Sequence, residues 1–410
     1  MKEELSMIEK NKTWELVDRP QDRKVIEVKW VYRTKLNVDG SINKNKARLV
    51  VKDYAQVFGV DYSETFALVA HLDNIREEDK VFLLKKALYG LKQDPRAWYN
   101  KIDNHLLSLG FERSQSETTI YVKRHGNDVL IVSLYVDDLL LVGNDAQMLQ
   151  QFKQEMMKVF EMTDLGLMSF FLGMENKQAE HEVFIFQKKY AKEILKKFKL
   201  EECKEVRTPM NQKEKLCKED GADKVDEAYC RSLIGYLMYL TTTRHDILNA
   251  VSILSRFMHC ASERHLRAAK RVVRYIKGTS NFGVKFTRNK EFKLVGFSDS
   301  DWGGFIDDMK ITSGYCFSFG SGVFTWSSKK QERMAQSTAE AKFIVASSSV
   351  NQALRLRNLL CDLNLEQEES TKIFFDNQAA IAISHNPVFH GKTKHFNIKL
   401  FFLKRSTKRM

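Results

Sequence analysis

Proline and glycine are scarce, 4 and 19 in 410 residues, which excludes long flexible linkers and collagen-like or low-complexity architecture. Cysteine is scarce too, and Cys203, Cys217, Cys230, Cys260, Cys316 and Cys361 form no Cys-x-x-Cys pair. That spacing argues against a disulfide framework or a zinc site and fits a reducing, intracellular compartment. No long hydrophobic run occurs. The most apolar stretch, residues 129–142, is broken by Asp137-Asp138, which argues against a membrane span and a membrane partner. The opening Met1-Lys2-Glu3-Glu4 lacks the apolar core of a signal peptide. Acidic residues are outnumbered, 53 against 66 basic, a net charge of +13. Such a surplus favours polyanionic partners, because each phosphate contact releases condensed counterions. It fits equally a basic protein without such a partner.

What is present is globular. Hydrophobic residues make up 43% and charged residues 29%, and the length suggests two to three domains. Residues 25–36 and 47–52 read as a hairpin around Asn37-Val38-Asp39-Gly40. Asp94-Pro95 reads as a helix start, with Asp94 as N-cap and Pro95 at the first helical position. Trp98, Ile102 and Leu106 recur every four residues, and Gly110 stops that helix. A second hairpin joins strands 119–124 and 129–136 through Gly126-Asn127-Asp128, and residues 146–160 are helical. Residues 226–276 form a mostly helical block whose last helix, 262–277, crowds Arg267, Lys270, Arg271, Arg274 and Lys277. That crowding is either a solvated face or a nucleic-acid surface. Strands at 292–298, 313–319 and 323–327 precede helix 336–361, strand 372–375 and helix 377–384, an α/β pattern. His385, His390 and His395 lack a cysteine partner and read as solvated or phosphate-facing rather than as a metal site.

Asp137-Asp138 sits in a very apolar run, Ile131 to Val142. Buried charges are costly unless paired or bound to metal. At a tight turn both carboxylates emerge at a sheet surface, where they either stay solvated or hold Mg²⁺ for nucleotidyl transfer. Phe297-Ser298-Asp299-Ser300-Asp301 ends a second apolar strand, and hydrolysis of RNA by two metal ions likewise needs carboxylates converging from strand ends and helices.

The motifs resemble those of copia-type retrotransposon Pol polyproteins along almost the whole chain. Tyr135-Val136-Asp137-Asp138 resembles the polymerase signature of reverse transcriptases. Asn11-Lys12-Thr13-Trp14-Glu15-Leu16-Val17, Lys29-Trp30-Val31-Tyr32, Lys46-Ala47-Arg48-Leu49-Val50, Asp61-Tyr62-Ser63-Glu64-Thr65-Phe66 and Lys86-Ala87-Leu88-Tyr89-Gly90-Leu91-Lys92-Gln93 resemble its successive blocks. Thr312-Ser313-Gly314-Tyr315, Trp326-Ser327-Ser328-Lys329-Lys330-Gln331, Ser337-Thr338-Ala339-Glu340-Ala341 and Phe375-Asp376-Asn377-Gln378 resemble the ribonuclease H that follows it.

The resemblance implies an α+β and α/β multi-domain chain. A palm-and-fingers remnant would fill 1–165 and thumb or connection helices 166–285. A ribonuclease H-like mixed sheet lacking its last elements would fill 286–410. It implies an RNA-directed DNA polymerase with ribonuclease H, using two Mg²⁺ ions per site. Its partners would be an RNA template, DNA, RNA–DNA hybrid and deoxynucleoside triphosphates, in a cytoplasmic particle or the nucleus. Asp137 and Asp138 would be palm metal ligands, and Asp299 and Asp376 ribonuclease H ligands with Glu340 beside them. Lys46, Arg48 and Gln93 would lie near the nucleotide, and Arg267, Lys270, Arg271 and Arg274 on nucleic acid.

The departures matter as much. In the family a segment of several dozen residues, carrying the third palm carboxylate and a strand, lies between the blocks matching Leu68–Arg76 and Asp79-Lys80-Val81. Here it is absent, near residues 76–77, and Asp73 is a poor substitute. Asp94 stands where the family has a small residue and adds charge that repels a triphosphate. Lys342 stands where the family has its second glutamate, so an ammonium enters a cation site. Residues two apart on a helix do not share a face, so Glu340 cannot replace it. The chain ends before the family's last strand and helix, which carry a fourth acid. The sequence therefore points to a copy of impaired catalysis. The alternatives are a non-catalytic nucleic-acid-binding remnant, a pseudogene product without function, and an active enzyme whose missing segment is a gene-reading artefact.

Overall fold

The computed structural model describes residues 1–19, 25–36, 42–52, 68–71, 80–86, 88–211, 215–288, 292–301, 305, 307–331 and 338–376. Residues 37–40 and 61–66, Asp73, the expected helix 377–384 and His385, His390 and His395 lie outside them. Two units are distinguished, Met1–Leu149 and Gln150–Met410.

The first unit enters through helix α1 (Lys2–Lys10) and strand β1 (Trp14–Asp18). The two segments expected to pair as a hairpin do pair. Strands β2 (Ile26–Leu36) and β3 (Ile42–Val51) pair antiparallel, with Trp30 opposite Leu49 and Arg33 opposite Lys46. Strands β4 (Leu68–His71) and β5 (Lys80–Leu84) complete a five-stranded sheet in the order β1-β5-β4-β2-β3. They pair antiparallel with each other, Ala70 opposite Phe82. Ile26, Val28, Leu49, Val51 and Leu84 cluster with Ile8 of α1 and with Leu88 and Leu91, which is the burial that alternation serves.

Helix α2 (Asp94–Ser108) buries Ile102 and Leu106 and ends before Gly110, whose φ is +82°. It begins one residue earlier than the sequence suggested. Gln93 is the cap, and Asp94 is the first helical residue with Pro95 behind it. The helix starts there because the Gln93 carbonyl already accepts from Ala97 N–H at 3.0 Å, while a proline without an N–H is tolerated anywhere in the first turn. Strands β6 (Glu112–Arg113), β7 (Ile120–His125), β8 (Asp128–Tyr135) and β9 (Asp138–Gly143) follow as an ordered antiparallel sheet. Helix α3 (Ala146–Val159) runs from the first unit into the second.

The second unit holds strands that the sequence did not announce. β10 (Phe170–Phe171), β11 (Met174–Ala179) and β12 (Glu182–Phe186) form a sheet with β13 (Gly283–Thr287), about a hundred residues on. Between them lie helices α4 (Lys188–Lys197), α5 (Glu227–Leu240), α6 (Leu248–Ser255) and α7 (Glu263–Gly278). Their apolar faces make the largest core cluster, including Ile194, Leu233, Leu237, Val251, Leu254, Val272 and Ile276. The segment expected as thumb or connection helices is mostly helical but also carries a four-stranded sheet, and the boundary expected at residue 285 falls inside β13.

The last part matches the expected element order. β14 (Leu294–Ser300), β15 (Thr312–Phe319) and β16 (Gly322–Lys330) form an antiparallel meander, helix α8 (Thr338–Asp362) follows, and β17 (Lys372–Phe374) returns parallel to β14. The order is β16-β15-β14-β17. Leu294 and Phe317 of the sheet pack with Ala353, Leu356 and Leu360 of α8. Among the described residues no helix is long and apolar enough to cross a membrane.

Candidate active sites

The first site is the turn between β8 and β9. Leu130, Val132 and Leu134 are buried and fix the strand in register. Tyr135 pairs with Asp138, so the turn has only Val136 and Asp137 at its tip. Val136 is left-handed, with φ +53°, a conformation costly for a β-branched residue. The indole N–H of Trp98 donates to the Val136 carbonyl at 2.8 Å. Asp137 and Asp138 are both exposed at this tip, as the apolar setting demanded.

Asp94 lies one helical turn before Trp98. Burial raises its pKa, and the negative charge of Asp137 raises it further. The extra acid is therefore close enough to Asp137 to feel it. A polar cluster anchors the same helix. The Tyr121 hydroxyl donates to Asp103 at 2.8 Å, Tyr99 donates to the Thr118 carbonyl at 2.9 Å, and Arg113 pairs with Asp103 at 3.3 Å. Burial, with the bonds to Tyr99 and Asp103, pushes the Tyr121 pKa up. Of the other expected residues, Arg48 stacks over the Tyr89 ring at 4.6 Å, Lys46 is half-buried on β3, and half-buried Gln93 caps α2.

The second site lies at one end of the last sheet. Asp299 near the end of β14 and Asp376 just beyond β17 are brought together by the parallel pairing of their strands. Between them stands Lys342 of α8. Its Nζ donates to Asp299 Oδ1 at 3.2 Å and also to Asp376 Oδ1. The Lys342 side chain, stem included, is 14% exposed, whereas those of Asp299 and Asp376 are 78% and 67% exposed, and its ammonium meets them at the surface. Partial burial lowers the Lys342 pKa, but the hydrogen bonds to Asp376 and Asp299 outweigh it and the net shift is upward. The Lys342 hydrogen bond holds Asp376 below the usual carboxylate range. Glu340 is half-buried in the first turn of α8.

Among the described residues, those at either place do not fit a pair of divalent ions. Among the described residues no group of three or more His, Cys, Asp or Glu could hold a metal ion. Among the described residues the palm turn offers two adjacent carboxylates, and at the second site an ammonium stands between the two aspartates.

The basic helix α7 is capped by Ser262, whose backbone N–H donates to His265 Nδ1 at 3.0 Å. Ser262 Oγ donates to Asp220 at 2.5 Å. His265 stacks on Phe257 with ring centroids 4.0 Å apart, and burial lowers its pKa. Arg271 donates to Thr208 Oγ1 at 2.8 Å, Arg274 to the Lys204 carbonyl at 2.6 Å and Lys277 to the Cys203 carbonyl at 2.9 Å. These three cations tie down residues 203–208. Arg267 is exposed and Lys270 half-buried on the same helix. Sequence reasoning missed the Trp98 contact and this inward use of charge.

The family described as reverse transcriptase (RNA-dependent DNA polymerase) matches residues 11–77 and again 74–212. The chain is 34% identical over 438 residues to the retrovirus-related Pol polyprotein from transposon RE1 of Arabidopsis thaliana, covering 96% of this chain and 30% of that protein. It is 32% identical over 457 residues to the corresponding polyprotein from transposon TNT 1-94 of Nicotiana tabacum, covering 98% of this chain and 34% of that one. It is 30% identical over 280 residues to the transposon Ty5-1 protein of Saccharomyces cerevisiae, covering 68% of this chain and 91% of that protein. The chain thus spans about a third of the length of the plant polyproteins. The alignment to the RE1 protein is longer than the chain's own 410 residues, so that relative carries residues with no counterpart here. On these matches the chain belongs to the reverse-transcriptase family of copia-type retrotransposon Pol polyproteins.

Proposed function

We propose that the chain is the reverse-transcriptase and ribonuclease H region of such a polyprotein, in a copy that keeps nucleic-acid-binding surface and has lost catalysis. The parent reaction is synthesis of DNA on an RNA template from deoxynucleoside triphosphates, with hydrolysis of the RNA strand of the resulting hybrid. In that reaction Mg²⁺ ions supply charge neutralisation at the phosphates and activation of the attacking oxygen. Asp137 and Asp138 are the palm carboxylates, and Asp299 and Asp376 those of the ribonuclease H-like part.

The observation that carries the reading is the Tyr135–Asp138 turn, two exposed carboxylates at the tip of an apolar hairpin in a chain of this family. Loss of catalysis at the palm is supported by the split of the family match between residues 74 and 77, which coincides with the connection between β4 and β5 where the segment bearing the third carboxylate is missing. Asp94 beside Asp137 adds repulsion towards a triphosphate. The ribonuclease H reading is supported by the strand order β16-β15-β14-β17 with its parallel last strand, and loss of its catalysis by Lys342 between the two aspartates. The finer division into fingers and palm, thumb or connection, and ribonuclease H belongs to the same proposal.

Binding to an RNA–DNA hybrid tests the retained function. The purified chain is expected to bind with an affinity that falls linearly in log–log terms as salt rises. Arg267→Ala with Lys270→Ala should weaken binding and lower the salt slope by about 2. Binding that does not depend on salt, or none at 50 mM salt or below, would overturn the reading.

A further inference from the structure

We infer that the Lys342 ammonium serves as a built-in cation at the second site, tying α8 to the ends of β14 and β17 and making that end of the sheet independent of divalent metal. The inference goes beyond the proposed function, because it concerns what holds the strand ends together rather than what they cleave.

Parallel pairing of β14 and β17 in the register Val295–Lys372, Gly296–Ile373, Phe297–Phe374 directs both chains towards the same end of the sheet. Asp299 and Asp376 lie there, each two residues beyond the last paired position, so the fold itself brings two carboxylates of like charge to one place. Like charges at such spacing repel unless a cation stands between them. A cation between them relieves that repulsion, and Lys342 reaches Oδ1 of both. The Lys342 side chain is the most buried of the three, and it reaches from α8 to the end of the sheet where both aspartates lie. An ammonium in that position satisfies two carboxylates at once, takes up the oxygens a divalent ion would draw on, and repels such an ion by its own charge.

Replacing the ammonium by a carboxylate should therefore turn the clamp into an ion site, because Asp299, Asp376 and the new acid would converge from two strands and a helix. The test is made on the full chain with Asp137→Asn and Asp138→Asn, so that the palm turn binds no ion. Mn²⁺ bound per chain is counted from loss of the free-ion electron-paramagnetic signal, and thermal melting of the same samples is followed with and without Mn²⁺. The parent is expected to bind no Mn²⁺ at this site and to melt at one temperature in both conditions. Lys342→Met, which keeps the stem and loses the charge, should melt lower, and Mn²⁺ should restore part of the loss. Lys342→Glu should bind one Mn²⁺ and rise by roughly 5 °C at an ion concentration 100-fold above its dissociation constant. If the parent binds Mn²⁺ and loses it on Asp299→Asn, or if Lys342→Met melts with the parent, the inference fails. If Lys342→Glu does not fold, those two comparisons still decide. Hybrid cleavage plays no part in this test, so its outcome is separate from the ribonuclease H reading.

Discussion

The indole N–H of Trp98 on α2 donates to the carbonyl of Val136, 2.8 Å away and 38 residues later in the chain. That bond reaches the one residue of the β8–β9 turn in the left-handed region. It therefore offsets part of the strain that lets Asp137 and Asp138 project from the sheet.

Trp98→Phe keeps the ring and removes the donor. It should cost about 0.5–1.5 kcal/mol, seen as a lower denaturant midpoint, and should speed amide exchange at Asp137 and Asp138. Val136→Gly relieves the left-handed strain, worth about 1–2 kcal/mol, at a position already 68% exposed. It is expected to leave the midpoint unchanged or raised. A Trp98→Phe protein with the parent's midpoint and exchange rates would show that the turn holds itself.

Asp94 should make the first unit sensitive to pH. Its folded pKa lies above the ordinary value of 3.8 because burial, and then Asp137, disfavour the charged form. The folded state holds this proton more tightly than the unfolded chain, so its contribution to stability is lost as pH rises above 3.8 through the folded value. At pH 7 the charged group destabilises. Asp94→Asn should accordingly melt higher than the parent at pH 7, on the order of 1–2 °C for a half-exposed group, and coincide with it at pH 3. A lower melting temperature for Asp94→Asn at pH 7 would mean that the favourable position of the acid in the first turn of α2 outweighs both burial and Asp137.

Two glycines of the last sheet should respond oppositely to the same change. A Cβ on Gly296 would lie 2.6 Å from the Phe317 ring, and Phe317 is fully buried. Gly296→Ala should therefore cost about 1–3 kcal/mol through overpacking and loosen the strand that carries Asp299. A Cβ on Gly314, the partner of Asp299 on β15, would meet its nearest atom at an ordinary 3.5 Å, so Gly314→Ala should stay within about 0.5 kcal/mol of the parent. Equal losses for the two variants in denaturant unfolding would contradict the packing described here.

Legibility in the sequence followed the strength of local pattern. Ile102 and Leu106 announced α2 through i,i+4 spacing, and the run Ile131–Val142 announced a hairpin because only its tip could expose two carboxylates. Lys342 was legible only against the resemblance, as a charge of the wrong sign where the family has its second glutamate. The sheet β10–β13 was not legible. β10 has two residues, β11 (Met-Glu-Asn-Lys-Gln-Ala) shows no alternation, and β13 pairs with β12 across a helical block, so only tertiary pairing makes them strands. Arg271, Arg274 and Lys277 looked like a solvent-facing row because helical spacing reports the face and not the partner. Their acceptors are a threonine hydroxyl and backbone carbonyls of residues 203–208, which no side-chain pattern advertises.

Primer extension tests the central claim most directly. The purified chain is given an RNA template with an annealed DNA primer, deoxynucleoside triphosphates and Mg²⁺. The account predicts no extended product above that of the Asp137→Asn, Asp138→Asn variant. Mg²⁺-dependent extension that disappears in that variant would contradict it, and would mean that the palm has assembled a working set of carboxylates.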